Sequence, residues 1–169
     1  VTAVLFVCLG NICRSPTAHG VFETLCAKRG LSHKINVDSC GTGGWHSGEP
    51  PDRRATAAAA ERGYDLSPLR ARQFAVADFR TFDYILAMDK QNLADLKALC
   101  PADYNGHLGL FLPFATLEQS QPGADGGGWP TEVPDPYYGG DDEFSQVLDM
   151  VERASAGLLQ EIARAHPEP

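Results

Sequence analysis

Apolar and polar positions follow one another in short blocks along this chain. Val4-Leu5-Phe6-Val7-Cys8 is an unbroken apolar run, the pattern of a strand covered on both faces. It breaks at Gly10-Asn11, and Ser15-Pro16 then predicts a helix start, because proline suits the first turn, where its missing N–H is not needed. That helix is expected to run to about Arg29 and stop at Gly30. A second strand is predicted over residues 34–39, followed by the turn Gly41-Thr42-Gly43-Gly44. Pro51-Asp52 opens a helix whose alanine-rich residues 55–60 suit close packing, and Gly63 ends it. Residues 83–88 predict a third strand, 91–99 a helix and 107–114 a fourth strand. Residues 116–134 are rich in Gly, Pro and Gln and read as a surface loop. In the last helix, capped by Asp141 or Asp142, Phe144, Val147, Leu148, Val151, Leu158 and Ile162 recur at helical spacing, which marks a core stripe.

Strand and helix alternating with short turns predict a doubly wound α/β fold, and 169 residues suit one domain over residues 1–169. In such folds ligands sit beyond the carboxyl ends of the strands. Cys8 stands at one such end.

Composition narrows the chemistry. Hydrophobic residues at 43% and charged residues at 21% are those of an ordinary globular protein. A formal charge of -8 argues against nucleic-acid partners, which need a basic face. An anionic ligand would need a local electropositive pocket instead. The five cysteines (Cys8, Cys13, Cys26, Cys40, Cys100) form no regular framework, so a disulfide scaffold is not expected. No CxxC pair and no His/Cys metal spacing occur, so no metal and no cofactor is implied. The apolar opening lacks a basic leader and a small-residue cleavage site, and no run is long enough to span a bilayer. The expected setting is reducing and cytoplasmic, with no membrane partner.

The chemistry concentrates in Cys8-Leu9-Gly10-Asn11-Ile12-Cys13-Arg14-Ser15. A loop leading from a strand end to a helix start aims several backbone N–H groups at one place, and the helix terminus adds positive charge. The result is a phosphate-binding loop over residues 9–15. Gly10 permits close approach and Asn11 tolerates a left-handed backbone. Arg14 offers a planar fork for two phosphate oxygens. The same field favours a thiolate nucleophile at Cys8. Ser15 either caps the helix or donates to that thiolate. A carboxyl shielded from solvent beside the site would supply a proton to a leaving group and then act as a base.

These residues resemble the low-molecular-weight protein tyrosine phosphatases. Besides the nucleophile loop, Asp38-Ser39, Gly44-Trp45, Ala71-Arg72-Gln73, Ala87-Met88-Asp89 and Asp135-Pro136-Tyr137-Tyr138-Gly139 match in order over nearly the full length. The resemblance implies a four-stranded parallel sheet with helices on both faces, flavodoxin-like, and a metal-independent reaction through a phosphocysteine at Cys8. It places Asp135, stiffened by Pro134 and Pro136, as general acid and base. It makes Trp45, Tyr137 and Tyr138 the walls of a pocket for a phenyl ring. Asn11 would be supported by a network with Ser39, in which the family's histidine is replaced here by Leu69. His19, on the helix flank, is given no role. Family members with a second loop cysteine imply that Cys13 forms a protective, reversible disulfide with Cys8.

The resemblance implies a phosphotyrosine-containing protein as substrate. The product of a cognate tyrosine kinase, a host protein met after secretion and a small phosphomonoester all fit, and the oligomeric state has no signature. Three other readings share parts of the pattern. An arsenate reductase of this fold needs relay cysteines near the third strand, and residues 78–99 contain none. A protein-arginine phosphatase carries a small polar residue where Ile12 stands. A phosphotyrosine-binding module or redox-switch protein has no use for the nucleophile or the acid.

Overall fold

The N-terminal apolar run forms β1 (Thr2–Cys8), all seven residues of which are buried. The structure is a computed structural model and describes residues 1–116 and 130–166. β1 pairs in parallel with β2 (Ile35–Gly41) on one side and with β3 (Tyr84–Ala87) on the other, and β3 pairs in parallel with β4 (His107–Leu110). The sheet order is therefore β2-β1-β3-β4. A doubly wound sheet of this order reverses direction between β1 and β3, and the crevice outside their carboxyl ends is its natural ligand site.

Alternation along β1 divides the core. Val4, Phe6 and Cys8 face α1 (Arg14–Lys28) and α5 (Asp141–Ala165), through Ala18, Val21 and Phe22 of α1 and Leu148, Val151 and Leu158 of α5. Ala3, Leu5 and Val7 face the opposite layer, where Phe79 of α3 (Asp78–Thr81) and Leu96 of α4 (Lys90–Leu99) pack with Phe74 and Phe82. Phe6 meets Phe22 and Phe111 edge to face at 5.7 and 4.9 Å, a burial that contributes roughly 1.5–3 kcal/mol. α2 (Arg53–Glu61) lies against α5 and is capped by Asp52, whose carboxylate accepts from the N–H groups of Arg54 and Ala55.

The sequence pattern located these elements, with local corrections. The fourth strand stops at Leu110 instead of reaching Phe114. Pro113 has no N–H for a ladder, and residues Leu112–Thr116 turn into a 3₁₀ helix. That helix packs so closely on α5 that a Cβ at Gly157 would lie 1.8 Å from the Phe114 carbonyl oxygen. α1 begins at Arg14, one residue before the expected start, and β2 continues to Gly41. α3 was not foreseen; at four residues it is too short to show a period. The cap of α5 is Gly140, not Asp141 or Asp142. Its N–H donates to the Glu143 carboxylate at 2.8 Å, leaving the two aspartates in the first turn. Residues 117–129, most of the expected surface loop, lie outside the described residues.

Candidate active site

The loop between β1 and α1 is held from outside by its carbonyls. Cys8 O accepts from Thr42 N–H and Leu9 O from Gly43 N–H, both at 2.9 Å, while Ile12 O accepts from Asp52 N–H at 2.7 Å. With these carbonyls turned outward, the loop's N–H groups are left to converge on the inside, as an anion site requires. Asn11 takes the left-handed conformation, with φ of 58°. Gly41 makes room for the loop, since a Cβ there would sit 2.6 Å from Leu9 O.

Cys8 is buried at the base of this loop. Its Sγ receives the Asn11 N–H at 3.3 Å and lies 3.0 Å from Ser15 Oγ. Asn11 Nδ2 donates to Ser15 Oγ at 2.8 Å, and Asn11 Oδ1 accepts from the Arg72 N–H at 3.0 Å. The Arg72 side chain is anchored in turn by Asp38 and Asp78. Asn11 therefore leans on Ser15 and on the backbone of Arg72, and not on Ser39 as the resemblance implied. The Ser39 hydroxyl instead meets His19 Nδ1 at 2.9 Å. His19, expected on the helix flank and given no role, is buried, and burial holds its imidazole below the ordinary histidine range against the pull of Glu23 and Asp38. Leu69 packs against the main core, so the histidine reaching Ser39 comes from α1.

The Arg14 side chain is only 3% exposed. Its Nη1 donates to Asp89 Oδ2 at 2.7 Å and to Val133 O at 3.0 Å, and its Nη2 lies 3.7 Å from Asp135 Oδ2. Burial works against this charge. Cys8, the hydrogen bond to Asp89 and the Asp135 carboxylate outweigh it and hold the guanidinium above its ordinary value. One face of the fork is thus fixed by Asp89 while the other points toward Asp135.

Cys8, Leu9, Gly10, Ile12, Cys13 and Arg14 form the floor of a cavity of about 230 Å³, and Trp45, His46, Asp135, Tyr137 and Tyr138 form its rim. Trp45 is 71% exposed and Tyr138 95%, so both stand at the mouth and are not core residues. The rings of Tyr137 and Tyr138 meet edge to face at 4.9 Å. The Asp135 carboxylate is 45% exposed and not shielded as expected. Cys13 packs beside Ala55 and Phe144, and burial, Asp52, Cys8 and Asp135 push its thiol up to about 12.

Several residues escaped sequence reasoning. Asp89 was visible only as a motif residue without a partner, and Arg54, Asp52 and His19 carry no spacing that points to the loop. All four act across long sequence separations, to which local pattern is blind. All five cysteines are free. Among the described residues no three His, Cys, Asp or Glu side chains gather into a group fit to hold a metal, and no helix is long and apolar enough to cross a membrane.

A buried cysteine and arginine in a strand-to-helix loop, faced by a carboxylate and by aromatic side chains at the rim, form a site suited to an anionic ligand. The model of the low molecular weight phosphotyrosine protein phosphatases matches residues 3–168, and the chain belongs to that family. It is 44% identical over 156 residues to the low molecular weight protein-tyrosine-phosphatase of Streptomyces coelicolor, covering 92% of this chain and 90% of that one. The crystal structure of YfkJ from Bacillus subtilis superposes with a TM-score of 0.85 at 37% identity, covering 98% of this chain and 97% of that one. A protein tyrosine phosphatase from Entamoeba histolytica, solved with Hepes in the active site, gives a TM-score of 0.88 at 36% identity, covering 98% and 99%.

Proposed function

We propose that this protein hydrolyses phosphotyrosine in proteins, and small aryl phosphates, through a phosphocysteine at Cys8. The observation that carries this is the convergence of Cys8, the Arg14 fork and Asp135 on one narrow, aromatic-rimmed cavity. The phosphoryl group sits in the N–H cradle of residues 9–15, with Arg14 across two of its oxygens. The Cys8 thiolate attacks phosphorus as the aryl oxygen leaves, and the Asp135 carboxyl protonates that oxygen. In the second step Asp135, now a carboxylate, takes a proton from water. The water oxygen bonds phosphorus, the S–P bond breaks and inorganic phosphate leaves.

Ser15 assists the departing sulfur. Its Oγ accepts from Asn11, so its single proton goes either to Cys8 Sγ at 3.0 Å or to Cys40 O at 3.2 Å. A thiolate draws that proton toward sulfur. Trp45, Tyr137 and Tyr138 enclose an aryl ring, and a phosphoserine is too short to carry its phosphorus past them to Cys8. Ile12 and the two tyrosines favour that aromatic ring over a guanidinium, and residues 78–99, around the third strand, hold no cysteine to relay an arsenate reduction. The substrates are the products of a tyrosine kinase acting in the same compartment. Cys13 lines the same cavity as Cys8, and its thiol condenses with a Cys8 sulfenic acid to a disulfide, the Cys13 proton leaving with the sulfenic oxygen as water.

The test is hydrolysis of a chromogenic aryl phosphate with a metal chelator present, beside phosphoserine and phosphoarginine peptides. Turnover of the aryl phosphate alone supports the reading. Faster turnover of either peptide overturns it.

A further inference from the structure

The loop that carries Asp135 is secured by a residue outside the cavity. Asp135 Oδ1 accepts the N–H of Tyr137 at 3.1 Å, closing a local turn across Pro136 that sets the direction of the carboxylate. The opposite side of the same residue is also bound. The Tyr137 carbonyl accepts from Arg54 Nη2 at 2.8 Å, and the Gly139 carbonyl accepts from Arg54 Nη1 at 3.3 Å. The Arg54 guanidinium lies 5.5 Å from the Tyr137 ring centre and 4.8 Å from that of Phe144 on α5.

Arg54 is itself fixed. Asp52 accepts from its Nε and its Nη2, both at 3.2 Å. Asp52 also gives its own N–H to Ile12 O of the phosphate loop at 2.7 Å. A continuous path of hydrogen bonds therefore runs from the phosphate loop through Asp52 and Arg54 to Tyr137, and from Tyr137 to Asp135. Arg54 does not line the cavity.

We propose that Arg54 is a positioning residue for the general acid. By pinning the Tyr137 carbonyl it holds the Tyr137 N–H, and with it the Asp135 carboxyl, at a constant distance from the phosphate loop. This rests on the proposed acid role of Asp135. A carboxyl at 45% exposure, with Arg14 Nη2 no nearer than 3.7 Å, takes much of its aim from the turn behind it. An arginine is suited because its planar fork reaches two carbonyls while its face stacks on two rings.

The consequence concerns the leaving group. An aryl oxygen of high basicity needs the proton as the P–O bond breaks, and a weakly basic one does not. Arg54→Met keeps apolar contact with Tyr137 and Phe144 and removes every donor. A well-placed acid contributes about 10²–10⁴-fold, and a loosened one retains part of that, so turnover of poor leaving groups should fall about tenfold or more. Turnover of good leaving groups should stay within about threefold, as should vanadate inhibition. Arg54→Lys, with one donor for the Tyr137 carbonyl, should recover part of the loss.

The experiment measures kcat and vanadate inhibition over a leaving-group series for Arg54→Met, Arg54→Lys, Asp135→Asn and the Arg54→Met/Asp135→Asn double variant. The proposal expects a leaving-group-dependent loss in Arg54→Met and no further loss when that change is added to Asp135→Asn. A steep Asp135→Asn profile beside a flat Arg54→Met profile, or additive losses in the double variant, overturns the positioning role alone. A flat Asp135→Asn profile removes the acid assignment, and the positioning role with it. An Arg54→Met protein that does not fold leaves the decision to Arg54→Lys, whose loss must then follow the same leaving-group dependence or the proposal fails.

Discussion

Replacing Asp89 by Asn tests whether a fixed guanidinium is what the buried site requires. In the parent, Asp89 has two duties: Oδ2 accepts from Arg14 Nη1 and Oδ1 from the Asn92 N–H, each at 2.7 Å, the second bond capping α4. Asparagine caps a helix about as well as aspartate, but its one acceptor oxygen is then taken, so an NH2 group replaces the charged acceptor that faces Arg14. Stripping one partner from a fully buried ion pair costs roughly 3–5 kcal/mol. Asp89 is 24% exposed, and Arg14 keeps Val133 O and the Asp135 carboxylate, so a stability loss of about 1–2 kcal/mol is expected. The effect on rate is larger in kind. A hydrogen bond to a charged group is worth about 1.5–3 kcal/mol, and a fork that swings free of its anchor loses much of that on the transferring phosphoryl group. At about 1.4 kcal/mol per decade this is roughly a 10- to 100-fold fall in kcat/KM. The assay pairs aryl phosphate turnover with urea denaturation. Asp89→Ala should add about 1 kcal/mol of destabilisation through the lost cap, with little further change in rate. A kcat/KM for Asp89→Asn within about twofold of the parent would refute the reasoning.

Three further outcomes follow from the same geometry. Asp135→Asn should slow poor leaving groups about 10²-fold or more and good ones far less, and equal losses across the series would remove the acid role. Cys13→Ser should recover less activity than the parent when dithiothreitol follows peroxide, with a Cys8–Cys13 peptide found by mass spectrometry only in the parent; equal recovery without that peptide would end the protective role. His19, buried and held below the ordinary histidine range, takes up its proton more readily when unfolded. Stability should therefore be full above pH ~6.5 and decline below it, a slope that His19→Gln should flatten in pH-dependent urea denaturation.

The sequence disclosed what is local and hid what is distant. The β1–loop–α1 unit could be read because Val4-Leu5-Phe6-Val7-Cys8, Gly10-Asn11 and Ser15-Pro16 each act on their immediate backbone, and Asn11 does take the left-handed form they imply. The stripe from Phe144 to Ile162 is buried for the same reason: its period is that of the helix. The support of Asn11 could not be read this way. Its partner is the backbone N–H of Arg72, 61 positions away, and a backbone donor leaves no trace in residue type. Asp89 and Arg54 likewise reach Arg14 and Tyr137 across 75 and 83 positions. His19 was given no role because nothing near it on α1 points to a partner, whereas Ser39 of β2 supplies a buried one.

The central claim is a covalent bond between phosphorus and Cys8. Rapid mixing of the protein with a chromogenic aryl phosphate, followed by acid quench and peptide mass spectrometry, measures it directly. A phosphoryl group should appear on the peptide containing Cys8 as the first equivalent of phenol is released, and disappear as phosphate forms. Cys8→Ser, which keeps the shape of the side chain without its easily formed anion, should show neither the adduct nor turnover while still binding vanadate. Turnover in Cys8→Ser, or phenol release by the parent with no phosphoryl group on Cys8, would contradict the account.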